Sequence, residues 1–90
     1  MIFITLYQWR KKLTKDMAAA QGGKIVEQMV KEGAKVLGWY WTLGRCDGVM
    51  VVEAKDEKAM MKALLRAGDL FSSETLVAVP REEALKLLEA

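Results

Sequence analysis

Tyr40-Trp41-Thr42-Leu43-Gly44-Arg45-Cys46-Asp47-Gly48-Val49 is the stretch from which the fold can be read. Val36 to Leu43 is rich in β-branched and aromatic residues, Val49 to Ala54 is apolar again, and Gly44 and Asp47-Gly48 between them are turn formers. Two strands joined by a tight turn satisfy that pattern, so the segment predicts a β-hairpin. The turn also holds the single cysteine of the chain, Cys46.

Outward from the hairpin, Ile2 to Trp9 reads as a first strand, with Ile2, Ile4 and Leu6 on one face and Phe3, Thr5, Tyr7 and Trp9 on the other. Thr14 is placed to cap a helix running to about Glu32, in which Met17, Gln21, Ile25 and Met29 recur at helical spacing and Gly33 ends the run. Gly22-Gly23 falls in its middle, where a kink, a close packing point or a late helix start would each account for the pair. After the hairpin, Asp56 is the natural cap of a second helix with Ala59, Met60, Ala63, Leu64 and Ala67 as its apolar stripe and Gly68 as its end. Glu74 to Val79 reads as a fourth strand, and Pro80 opens a terminal helix with Glu82 and Glu83 in its first turn. The order β-α-β-β-α-β plus a helix is that of a ferredoxin-like α+β fold: a four-stranded antiparallel sheet with two helices on one face.

At 90 residues, without a linker-like or low-complexity tract, the whole of 1–90 reads as one domain. Fourteen basic against twelve acidic residues leave a net charge of +2, too little to steer the protein to nucleic acid or a membrane. The apolar start is too short for a membrane span and lacks the flanks of a signal peptide, so a cytoplasmic protein is the expectation. A single cysteine makes no internal disulfide. Histidine is absent, which removes Ser-His-Asp and Cys-His catalysis and imidazole metal ligation. With no P-loop, dinucleotide fingerprint or metal-ligand spacing, neither a cofactor nor a metal is expected.

The sheet face away from the helices should alternate toward polar residues, yet Val49-Met50-Val51-Val52 is apolar throughout and both faces of the first strand carry apolar bulk. Pairing of two identical sheets would cover such a face, so a homodimer is expected. Following alternation, Phe3, Thr5, Tyr7 and Trp9 join Val36, Gly38, Tyr40, Thr42, Asp47, Val49, Val51 and Glu53 on the dimer side, while Leu37, Trp39, Trp41 and Leu43 turn toward the helices.

The run from Tyr40 to Asp47, the strand ending Val52-Glu53-Ala54, Asp56, and the later Glu74-Thr75-Leu76 and Pro80 resemble the GYD-domain family, named for a glycine, a tyrosine and an aspartate in this hairpin. Gly44 and Asp47 match the first and last, Cys46 stands at the tyrosine, and Gly48 stands where a β-branched residue is expected. The resemblance implies a dimeric α/β-barrel arrangement and no settled activity.

For ligand contact on the dimer side the sequence offers Tyr7, Tyr40, Thr42, Asp47 and Glu53. Asp47 and Glu53, with Tyr40, would serve proton transfer if the protein is an enzyme, since neighbouring carboxylates in a buried site titrate apart. The plainer reading gives Asp47 to turn amides and Glu53 to a sheet end. Cys46 beside Arg45 has a cationic neighbour but no histidine base, and reads as incidental. Trp39 and Trp41 read as core. RNA binding is disfavoured because the third strand lacks aromatics. Arg10, Lys11, Lys12 and Lys15 gather where the first helix begins, a place for an anion or simply a solvated loop. The expected function is a cytoplasmic, dimer-forming binding or regulatory module holding a small molecule between two sheets. An acid/base enzyme on a small organic substrate and a ligand-free assembly unit are the alternatives.

Overall fold

The computed structural model describes residues 1–66 and 70–89. Its elements are β1 (Ile2–Trp9), α1 (Lys15–Lys31), β2 (Lys35–Trp41), β3 (Gly48–Glu53), α2 (Glu57–Arg66), β4 (Phe71–Ala78) and α3 (Arg81–Lys86). The strands form one antiparallel sheet in the order β2-β3-β1-β4, the ferredoxin-like order expected for the fold. The caps fall where local chemistry puts them. Thr14 Oγ1 accepts from Met17 N–H at 3.2 Å, Asp56 Oδ1 accepts from Ala59 N–H at 2.9 Å, and Gly33 closes α1 with φ +77°. The expected stop of α2 at Ala67-Gly68 lies outside the described residues.

Two element boundaries differ from expectation. β4 begins at Phe71, three residues before the predicted Glu74, because Trp9, Gln8 and Tyr7 of β1 pair with Phe71, Ser72 and Ser73 and recruit two serines whose own strand preference is weak. The glycine pair does not interrupt α1. Gly22 is a close packing point, where an added Cβ would stand 3.1 Å from Trp39 Cη2.

The core lies between the helices and one face of the sheet, with Phe3, Tyr7, Met50, Val52 and Phe71 from the strands meeting Ile25 and Met29 of α1 and Met60 and Ala63 of α2. Lys62 and Arg66 of α2, both exposed, reach the largely buried Glu32 side chain at the end of α1 at 3.4 and 3.7 Å and tie the two helices together.

The register corrects the assignment of faces on β1. Tyr7 pairs with Gly48, Thr5 with Met50 and Phe3 with Val52, so Phe3, Thr5 and Tyr7 are buried on the helix side, with Trp9 packed against the same core, not on the expected dimer side. Ile2, Ile4 and Leu6 are the residues that share the open face with Val49, Val51 and Glu53. Both faces of β1 are apolar, so alternation separated the two sets without deciding which one the helices cover. Val36 is also corrected. A bulge between Val36 and Gly38 lets Val36 pair with Val52 and pack on the core, although Gly38 and Tyr40 remain on the open face as expected.

The open face is apolar. Ile4 lies between Val51 and Leu76, and Leu6 between Val49 and Glu74, with no helix above them. The C-terminal segment also lies apart from the core. α3 buries none of its residues, and Val79, Leu85, Leu87 and Leu88 are exposed.

Candidate functional site

The hairpin turn is wider than a two-residue Asp47-Gly48 connection. Thr42 N–H donates to Asp47 O at 3.0 Å, so Leu43 to Cys46 form the loop, and Gly44 takes φ +105°, a backbone state that favours glycine. Thr42 Oγ1 donates to Cys46 O at 2.8 Å, which assigns this threonine to the turn. Asp47, just before β3, is bonded to β1 twice: its N–H donates to Tyr7 O at 2.8 Å while its Oδ2 accepts from Trp9 N–H at 2.8 Å. Its carboxylate thus ties the hairpin to the end of β1.

Directly beneath, the Trp39 indole N–H donates to the Tyr7 hydroxyl at 2.6 Å, and the Tyr7 ring packs against Trp9 and Phe71 at centroid distances of 5.2 and 5.4 Å. Burial pushes the Tyr7 phenol above its ordinary range; the Trp39 hydrogen bond opposes the shift and the Asp47 carboxylate adds to it. The fold therefore favours the neutral phenol, and this contribution to stability is complete below about pH 10 and is lost as pH rises through the raised value. Tyr7→Phe should cost about 1–2 kcal/mol at neutral pH, because the half-buried Trp39 indole N–H loses its acceptor. Urea titrations at pH 7 and above pH 10 check this: the variant should be less stable at pH 7 and should lack the phenol's share of the alkaline loss. Equal stability of variant and parent at pH 7 would show the bond to be dispensable.

The predicted site residues do not assemble as one group. Tyr7 and Asp47 meet beneath and beside the hairpin; Tyr40 lies on the open face, 60% exposed, with its ring over Gly38. Glu53 is at the far end of β3, six residues from Asp47 and so roughly 20 Å away along an extended strand, too far for a carboxylate pair within one chain. What the open face does offer beside the turn is a hollow of about 290 Å³ bordered by Leu6, Gln8, Arg45, Cys46, Ser72 and Glu74. Gln8 Nε2 donates to Arg45 O at its rim, which couples β1 to the hairpin loop. Arg45 and Glu74 give the hollow opposite charges. Sequence reading missed it because Glu74 reaches the site through the β1–β4 pairing, not through any local motif.

Helices on one side of a β2-β3-β1-β4 sheet define a ferredoxin-like α+β domain. The family model for the GYD domain matches residues 3–88 of the 90-residue chain, and the protein belongs to the GYD-domain family. None of the curated proteins compared with the chain matches it significantly. In the hairpin Gly44 is the positive-φ residue of the turn and Asp47 is the bridge to β1, while Cys46 contributes its carbonyl to Thr42 and a half-buried side chain. No helix among the described residues is long and apolar enough to cross a membrane.

Proposed function

We propose that this protein is a self-associating cytoplasmic binding or regulatory module, in which two sheets meet by their open faces and enclose a small molecule at the hairpin end. The observation that carries this reading is the uncovered apolar face of Ile2, Ile4, Leu6, Val49, Val51 and Leu76. Leaving such a patch in water is costly, and a second copy presents the same patch to it in a closed two-fold contact. The hollow at Leu6, Arg45 and Glu74 borders that face, so pairing would roof it and provide a polar anchor at each charged rim. Proton-transfer catalysis is less well supported, given the separation of Asp47 from Glu53 and the commitment of the Asp47 carboxylate to Trp9. Nucleic acid and membrane are not among the partners this reading invokes.

Light scattering coupled to size exclusion at low micromolar concentration should give a dimer. Val49→Lys, which places a charge between Leu6 and Tyr40 on the open face, should give a folded monomer. A monomeric parent protein would overturn the reading. A thermal-shift screen of metabolites tests the ligand: stabilisation weakened by Arg45→Ala supports the hollow as the site, and stabilisation unaffected by it does not.

A further inference from the structure

On the helix side of the sheet, away from the proposed interface, lies a groove of about 680 Å³ between α1 and the tryptophan-bearing strand ends. Its floor is one stripe of α1, Ala18, Ala19, Gly22 and Gly23, running from Lys15 at one end to Val26 at the other, successive positions at helical spacing. Its walls are Trp9, Trp39 and Trp41. Two of these walls are held in place. Trp39 is bonded to the Tyr7 hydroxyl and lies against Gly22, and Trp9 meets Tyr7 edge-on at 76° and Phe71 at 90°. Trp41 is 67% exposed. A Cβ at Gly23 would meet nothing within 4 Å, so the floor is open where the walls are aromatic.

The volume suits a small ligand, and indole walls above a floor of small residues suit a flat ring. Charge defines the rest of the occupant. Lys15 stands at the end of the groove, and exposed Arg10, Lys11 and Lys12 lie in the connection from Trp9 to α1. None of these four forms a salt bridge among the described residues. Asp16 is one residue, and so about 100° of helix rotation, away from Lys15. Lys15 in the first turn of α1 opposes the helix dipole, and the three cations of the preceding connection add positive charge to that side, a conflict that an anion would relieve. We propose that the groove binds a small planar aromatic carboxylate, its ring between the indoles and α1 and its carboxylate toward Lys15. This proposal is independent of dimerisation.

Naphthalene-2-carboxylate is a suitable probe, with naphthalene-2-methanol as its uncharged analogue. In a ¹⁵N-edited NMR titration the three indole N–H signals should shift along one saturable curve with the carboxylate. Gly23→Leu, a helix-compatible change that fills the groove, should weaken binding by more than about tenfold. Lys15→Gln should weaken the carboxylate about threefold and leave the alcohol unchanged, as befits an exposed ion pair. Binding should persist in Val49→Lys, which separates this site from the sheet face. Absence of saturation, undiminished binding in Gly23→Leu, or equal affinity for carboxylate and alcohol would each overturn the proposal, as would a change of oligomeric mass in Gly23→Leu, which would assign the groove to a second copy.

Discussion

Gly48→Val should destabilise the protein by more than about 3 kcal/mol, a drop in Tm of roughly 15 °C or more for a domain of this size. Backbone conformation is not the reason, since Gly33 and Gly44 are the glycines with positive φ. Space is. Gly48 faces Tyr7 across the β1–β3 ladder, and a Cβ built on it would stand 2.7 Å from Tyr7 Cε2 and closer still to the ring's Cζ and hydroxyl oxygen. The ring has nowhere to retreat: Trp39 holds its oxygen, and Trp9 and Phe71 pack its faces and edges. Overpacking usually costs about 1–3 kcal/mol, and a branched side chain against a ring fixed on several sides belongs at or beyond the top of that range. The β-branched residue suggested by family resemblance at this position would therefore need a smaller partner on β1. Thermal melts of Gly48→Val and of Gly48→Val with Tyr7→Ala test the cause. Because Tyr7→Ala alone empties part of the core, the test is a cycle: the double variant should lose less than the sum of the losses of Gly48→Val and Tyr7→Ala, and a Gly48→Val variant melting within a few degrees of the parent would refute the steric account.

Met29→Ala should cost about 2–5 kcal/mol, the range for removing a long apolar side chain from a packed interior. Met29 is 1% exposed and sits where α1 meets both the sheet and α2, among Ile25, Met50 and Met60. Val30, the next residue on the same helix, is 63% exposed, so Val30→Ala should change stability by no more than about 0.5 kcal/mol. Urea denaturation of the two variants compares an inward with an outward position, and alanine's higher helix propensity than valine offsets what little Val30→Ala loses. Comparable midpoints for both would mean that α1 does not pack as described.

Much of this molecule is legible locally. Turn glycines, capping Thr14 and Asp56, and the change from helical to strand periodicity place six elements and the terminal helix in order, and the order alone suggests the antiparallel sheet. The apolar character of the open face was legible for the same reason, because Val49 and Val51 alternate with Met50 and Val52 without a polar residue between them. The site was much less so. Asp47 and Glu53 are both acidic residues near the ends of one strand, but the length of that strand keeps them apart. Tyr7 looked like a partner of Tyr40 until pairing with Gly48 placed it under the helices.

The sequence by itself determined which segments are strands and helices, where most of them begin and end, and that one sheet face would be left apolar, since each of these rests on the spacing of residues within one segment. Only the tertiary structure decided which face of β1 the helices cover, that Glu74 comes to stand near Arg45, and that Gly22-Gly23 lies beneath three indoles. Those outcomes depend on the register between strands distant in sequence and on a single bulge in β2. A shift of one residue in either exchanges the faces while leaving every local pattern intact.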